Sequence, residues 1–390
     1  MKYWRGYLVA AIIAAFTWGL VEFAQSHWAL VDMIYPYMTR MVQDYLAGWS
    51  AGVPFCLWQV LLILLGVVGL ATVVMMILWK WNPIQWFGWV TAAASIVLFL
   101  NTAMCGLNDY SGPLSQDIRL DVTPYVVSEL ETAAAFYQEQ ANALAAEVSR
   151  DTSGVIQLPD LQTLSAQAAE GFHNQTYDHY NPVFSGSAEA VKELGWSKLL
   201  ASRGITGMTV YITGEAAVNP QTPPMTMPFV VCRQMAQRMC ITQQQDAAFA
   251  AFLACDANTD PAFRYSAYFM AYRYCHAALL SMDTAAAQQA AVGLTGTESE
   301  LLKKDMAAYG ASFAAKSDDQ YIQTLQKRNE QAPEQSNLVD LLVSWHIQEY
   351  VLPTLQDDVI VFDPLDEHQV DLSGLPNTAT EPVAEAEEAA

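Results

Sequence analysis

Hydrophobic positions are concentrated at the front of the chain, in three runs. Tyr7–Phe23 reads YLVAAIIAAFTWGLVEF and is interrupted only by Glu22. Phe55–Trp79 contains LWQVLLILLGVVGLATVVMMILW and holds no charge, and Trp86–Cys105 reads WFGWVTAAASIVLFLNTAMC. A bilayer core takes roughly 20 apolar residues of helix, so the pattern predicts three transmembrane helices at about 7–23, 55–79 and 86–105. Tyr3, Trp4, Trp79, Trp81 and Trp86 sit at their ends, where an interfacial aromatic belt belongs. Between the first two runs, His27–Val53 carries aromatic and Met residues at loose helical spacing (WALVDMIYPYMTRMVQDYL). That spacing predicts an interfacial or re-entrant amphipathic helix in preference to a free loop.

Beyond residue 105 the pattern changes to that of a water-exposed, mostly helical domain. NDYSGPLSQDIRLDVTPY reads as extended and turn-rich, and Ser128–Ser149 as a helix capped by Ser128 with Glu131 three residues on. Helices are predicted at Leu158–Gly171 and Ser185–Leu194, with the polar loop FHNQTYDHYNP between them. The β-branched alternation of Gly207–Ala217 predicts a strand. The Pro-rich NPQTPPMTMP leads into a helical block, Phe229–Met282, broken around DANTDP, and further helices are predicted at Glu298–Ala315 and Leu338–Leu352. The tail from Pro364 onward, ending TATEPVAEAEEAA, reads as disordered and solvating. The domains expected are therefore 1–105 in the membrane, 106–363 outside it, and 364–390 as tail.

Charge sharpens this division. The first 105 residues hold four of the 18 Lys/Arg and three of the 40 Asp/Glu, a net of +1, so the remainder carries −23 of a total of −22. So acidic a surface repels phosphate, which argues against a nucleic-acid partner. Lys2 and Arg5 precede the first run and Lys80 sits in the turn between the second and third. Both sites favour the cytoplasm, which predicts a cytoplasmic N-terminus and an extracytoplasmic large domain. The alternative for the first run, a signal peptide cleaved near Ala24-Gln25-Ser26, leaves the large domain on the same side.

Chemistry-bearing residues are sparse. His173 and His179 flank the polar loop, His346 precedes Glu349 by about a turn, and His276 and His368 stand alone, with no third ligand to complete a metal set. Cys56 and Cys105 lie in or beside the spans. Cys232, Cys240, Cys255 and Cys275 show no CxxC spacing; an outside location permits a Cys255–Cys275 disulfide, and buried thiols are the favoured state.

The run ITGEAAVNPQTPPMTMPFVVCRQMAQRMCITQQQDAAFAAFLAC resembles the DUF3810 family, membrane-anchored bacterial proteins that look like zinc metallopeptidases. VPFCLWQVLL, GLNDYSGPL, PAFRYSAYFMAYRY and LVDLLVSWH extend the resemblance over roughly residues 30 to 350. It implies a mainly α, α+β zincin-like extracytoplasmic domain with a small sheet, and a helix bearing HExxH followed by QRG. In HExxH two histidines on one helix face hold zinc, the Glu takes a proton from zinc-bound water, and a later carboxylate completes the ligands.

Aligned on the resemblance, those positions are held by Arg233, Gln234 and Gln237, the later carboxylate by Asp246, and QRG by Arg238-Met239-Cys240. Arg cannot deprotonate and donate a lone pair, and Gln cannot serve as a general base. The resemblance thus implies a pseudo-metallopeptidase without zinc, in which the bilayer is one partner and a peptide or protein docks along Met208–Thr213. A zincin-like edge there would accept a strand. An Arg233 guanidinium at the zinc position would pair with Asp246, or else reach solvent. The competing expectations are a hydrolase with a relocated site drawn from His346, Glu349 or Asp246, and a structural membrane protein without a ligand.

Overall fold

The computed structural model describes residues 4–178, 183–186, 188–282, 284–316, 318 and 337–353. His179, His368 and the tail 364–390 lie outside them. Four long helices come first: α1 (Arg5–Ser26), α2 (Trp28–Ala51), α3 (Leu57–Leu78) and α4 (Pro83–Met104). Three of them, α1, α3 and α4, are 22 residues long and apolar enough to cross a membrane. At 1.5 Å per residue that is about 33 Å, the thickness of a hydrocarbon core. α1 packs on α4 through small residues: a Cβ on Gly6 would lie 2.3 Å from the carbonyl carbon of Gly88, so only glycine permits this approach. α3 buries only Gln59 and leaves the rest of its apolar surface open.

The segment expected to be interfacial or re-entrant is the single helix α2, separated from α1 by His27 alone. Its buried residues Val31, Thr39, Gln43, Ala47 and Ser50 form one stripe. Met33, Tyr37, Met41, Tyr45 and Trp49, four residues apart, form an exposed apolar stripe on another side. The Tyr35 hydroxyl donates to the carbonyls of Thr102 and Ala103 at 3.0 and 2.9 Å, holding α2 to the end of α4.

The acidic domain follows: α5 (Leu114–Asp117), α6 (Val127–Ala145), α7 (Leu161–Asp178), β1 (Lys192–Glu193), α8 (Ser197–Ser202), β2 (Gly207–Val210) and β3 (Glu215–Val218). Then come α9 (Met227–Arg238), α10 (Gln244–Asp256), α11 (Pro261–Ser281), α12 (Ala285–Thr297), α13 (Glu300–Gly310) and α14 (Leu338–His346), the last continued by a π-turn over Ile347–Val351. The core is built around α10, whose residues from Gln245 to Cys255 are all buried. The Ala-rich AAFAAFLAC is what such a helix needs, since small side chains let neighbours close in on every side. Tyr137 of α6, Phe252 of α10, Tyr268 of α11 and Trp345 of α14 meet in one aromatic cluster. The tyrosine hydroxyl of Tyr137 donates to the Leu342 carbonyl at 2.7 Å, so the buried polar end is satisfied.

The sheet has the order β1-β3-β2. β1 runs parallel to β3, pairing Lys192 with Ala217, and β2 runs antiparallel to it, pairing Met208 with Ala217. The predicted single strand Gly207–Ala217 is therefore a hairpin. Its turn holds Gly214 at φ +66°, where a Cβ would also collide with Leu46 and Ala47 of α2. Of the predicted helix Ser185–Leu194, the described residues are not helical and lead into β1, with the Leu194 amide taken by the Val218 carbonyl at 2.9 Å. Cross-strand pairing outweighs the helix propensity of AEAVKEL.

The polar segment after Gly171 continues α7 to Asp178 instead of forming a loop. α6 begins before Ser128: Glu129 accepts the Val126 amide at 2.9 Å, and Ser128 lies inside the first turn. The long block divides at Cys240 as well as at DANTDP. Cys240 takes φ +65°, the left-handed conformation that ends a helix. All six cysteines are free and buried, and the sulfur facing Cys255 is that of Cys232, at 3.4 Å, so the Cys255–Cys275 disulfide is not formed.

Membrane helices and sheet meet at one carboxylate. Glu215 opens β3 with its side chain fully buried, and accepts the Leu57 and Trp58 amides at the start of α3 at 2.7 and 2.9 Å. Lys192 of β1 pairs with it at 2.7 Å and also donates to the carbonyls of Ser50 and Phe55. Removing one partner of such a buried, fully bonded pair costs about 3–5 kcal/mol. Glu215→Ala should lower the stability of the full chain in detergent by about that amount, with Lys192→Met adding little to it. Chemical denaturation of both single variants and the double variant checks this, and additive losses would show the two side chains to be uncoupled.

Candidate functional site

α9 carries the positions singled out by the sequence and lies flat under the hairpin. The Pro-rich link delivers the chain to its start, where Pro228 occupies the first turn and forfeits an amide that needs no partner. On α9, Arg233 and Gln237 are four residues apart and share a face, and Gln234 is turned about 100° from Arg233. Gln234 is buried against β2, where the Thr209 hydroxyl bonds its side-chain and backbone oxygens, each at 3.1 Å. Its amide therefore fastens strand to helix. The Arg233 guanidinium reaches the Thr206 hydroxyl through Nη2 at 2.9 Å, and its buried Nε has no hydrogen-bond partner among the described residues.

Arg233, Gln234 and Gln237 line one cleft of about 210 Å³ beneath β2. Arg203 and Thr206 wall it from the segment before β2, Gln244 and Ala248 from α10, and Tyr274 of α11 and Asp318 close the far side. Asp318 is buried and accepts the Tyr309 hydroxyl. Burial raises its carboxyl above the ordinary range, against the opposing pull of the Tyr309 hydroxyl and of the Arg233 and Arg273 guanidinium groups. The outer edge of β2 runs above this cleft. Thr206 accepts the Asn219 amide, so alternation directs the backbone N–H and C=O of Gly207 and Thr209 away from β3. Among the described residues no strand pairs with that edge.

Asp246 stands apart from the cleft. It is two residues from Gln244, hence about 200° around α10 from the face that Gln244 and Ala248 turn to α9. Its Oδ2 accepts the Leu114 amide at 3.0 Å, and it lines a different cavity with Asp32, Arg40 and Asp117. The expected Arg233–Asp246 pair is therefore not formed: Thr206 takes the first and Leu114 the second.

No histidine among the described residues lines either cavity. His173 is exposed on α7, and His276 bonds the Ala291 carbonyl and the Thr295 hydroxyl at 3.1 Å each. His346 is buried, 4.8 Å from the ring of Phe136 and stacked on Tyr350, and its burial lowers its pKa. Among the described residues no three His, Cys, Asp or Glu side chains lie close enough to share an ion. The side chains in the cleft, two guanidinium groups and neutral amides with the single carboxylate of Asp318, do not fit zinc.

Sequence reading missed Arg203, Thr206 and Asp318, which come from separate elements, and Glu215, whose carboxylate inside the apolar ITGEAAV was a signal in itself. It also missed the cavity around Asp246. Burial raises the Asp246 carboxyl to about 6, with Asp117 adding to the rise and the Leu114 amide opposing it. A carboxyl raised on folding holds its proton more tightly in the folded state, so its contribution to stability falls as pH climbs from the ordinary carboxylate range to about 6. Asp246→Asn keeps an acceptor for Leu114 and removes the charge. Its advantage over the natural chain should be near zero below that window and reach about 3 kcal/mol above it. Denaturation of both proteins at the two ends of the window checks this; an equal difference at both ends would refute it.

The comparisons with known proteins point one way. No curated protein and no solved structure gives a match. The family model described as a protein of unknown function (DUF3810) matches residues 31–332, from within α2, through the hairpin, α9 and the cleft, to beyond α13. With that match over most of its length, the chain belongs to the DUF3810 family.

Proposed function

We propose that this is a membrane-anchored, non-hydrolytic binding protein, a pseudo-metallopeptidase that holds an extended peptide or protein segment along the outer edge of β2. The observation that carries the reading is the conjunction of an unpaired strand edge with a polar cleft directly beneath it. A segment added beside β2 would take the outward N–H and C=O groups of Gly207 and Thr209, while its side chains dip alternately toward α9. This edge overlaps the expected Met208–Thr213 recognition stretch only at Met208–Val210; Gly207 precedes it, and Tyr211–Thr213 belong to the turn. Arg233 and Arg203 give the cleft two guanidinium groups, so the preferred segment offers a carboxylate to the floor.

Loss of hydrolysis follows from the same residues. Arg233, Gln234 and Gln237 stand where a zincin-like enzyme would need two neutral imidazoles and a general base, and Gln234 is tied to Thr209. The orientation proposed is a cytoplasmic N-terminus with the acidic domain on the outer face, from the placement of Lys2, Arg5 and Lys80. The exposed Met and aromatic stripe of α2 fits a helix lying in the interface, which would hold the domain close against the bilayer.

The full chain in detergent should bind labelled extended peptides with an acidic residue and leave them uncut, with far less than one zinc per chain. Arg233→Met should weaken binding about tenfold through the lost charged hydrogen bonds. Thr209→Pro should weaken binding as well, since it deletes an outward amide while sparing the bonds to β3. Polarisation titrations with metal analysis test all of this; stoichiometric zinc together with chelator-sensitive cleavage would overturn the reading.

A further inference from the structure

A second cavity, of about 280 Å³, lies where α2, the segment from Asn108 to Asp117 and the turn between α9 and α10 converge. Three carboxylates line it, those of Asp32, Asp117 and Asp246, against the single guanidinium of Arg40. Asp32 spends one oxygen on the Gly112 amide at 2.7 Å, and Asp246 spends one on the Leu114 amide. Three buried oxygens of its lining residues have no donor among the described residues: Asn108 Oδ1, Thr242 Oγ1 and Asp246 Oδ1. Asn108 and Asp246 are only 3% and 4% exposed. A buried acceptor without a donor costs about 1–3 kcal/mol, and here three such residues share one cavity beneath an excess of negative charge. The complementary ligand is a cation that brings several N–H donors.

We propose that this cavity binds a primary ammonium group. An ammonium carries three N–H donors on one positive centre, matching three acceptors and the surplus carboxylate charge. A bare metal ion fits less well, because among the described residues no three acidic, His or Cys side chains converge on a point. Arg40, with its Nε on the Met239 carbonyl at 3.2 Å, stands in the same wall and supplies a counter-charge for an anionic group attached a few atoms from the ammonium. The cavity opens beside Met33 and Tyr37 of the exposed apolar stripe, a few residues past the end of α4. An aminophospholipid headgroup at the bilayer surface and a soluble primary amine both present this chemistry there.

The full chain in detergent is heated with ethanolamine, O-phosphoethanolamine or choline, whose quaternary nitrogen has equal charge and no N–H. The same chain is then placed in phosphatidylcholine nanodiscs with and without phosphatidylethanolamine. The expected result is a raised unfolding midpoint with the primary amines, with the aminolipid, or with both, and none with choline. A response to the aminolipid alone assigns the site to the headgroup, and a response to the soluble amines assigns it to a free ligand. Asp246→Asn and Asp117→Asn should each weaken the response about tenfold. Arg233→Met, in the other cleft, should leave it intact. Choline acting as strongly as ethanolamine, calcium chloride acting where no amine does, or no response to any amine or aminolipid would overturn the proposal.

Discussion

The buried carboxylate of Glu215 joins the start of α3 to the sheet. A charge taken out of water is costly, and the cost is offset only where hydrogen bonds and an opposite charge surround it. Glu215 receives two amides from the first turn of α3 and the ammonium of Lys192. The free amides and positive dipole end of a helix start make it a natural seat for an anion. Lys192 in turn gathers the carbonyls of Ser50 and Phe55, so the end of α2, the start of α3 and two strands close on one ion pair. The hairpin has little freedom left, because the Tyr211 carbonyl accepts Gln43 of α2 at 2.9 Å and Gly214 fits against the α2 backbone.

With the sheet fixed to the membrane helices, α9 is fixed beneath it, and the two cavities fall on different sides of the α9–α10 pair. Their chemistries are opposed. The cleft under β2 has Arg203 and Arg233 against the buried Asp318, while the cavity against α2 has three aspartates against Arg40. A chain of net charge −22 has little need of another acidic pocket for solubility, so both the arginines in one and the donorless acceptors in the other are local features. The adaptation of α10 is shared between them: Gln244 and Ala248 face one side, Asp246 the other, and small alanines fill the rest.

Family membership was legible because it depends on residue identity carried at several separate landmarks along the chain. The partner of Arg233 was not legible, since Thr206 is 27 residues earlier and reaches it only because the hairpin folds over α9. The same holds for Cys255, whose neighbour is Cys232 of α9 and not Cys275 of α11. Helix boundaries shifted where a tertiary bond outweighed local preference, as at Lys192–Glu193, where an apparent helix gives its amides to β3.

The sequence by itself determined the three apolar helices, the acidic helical stretch beyond them and the side-chain chemistry available at residues 233–237. Each of these follows from composition, period or the chemistry of single side chains. The tertiary structure decided that the strand is a hairpin with an open edge and that Asp246 belongs to a second cavity. It also decided that Glu215 is the joint between membrane and domain. Those outcomes depend on which side of a helix a residue takes once its neighbours are packed, and on pairings between residues far apart in sequence, 158 positions for Leu57 and Glu215 and 168 for Gln43 and Tyr211, which no local pattern encodes.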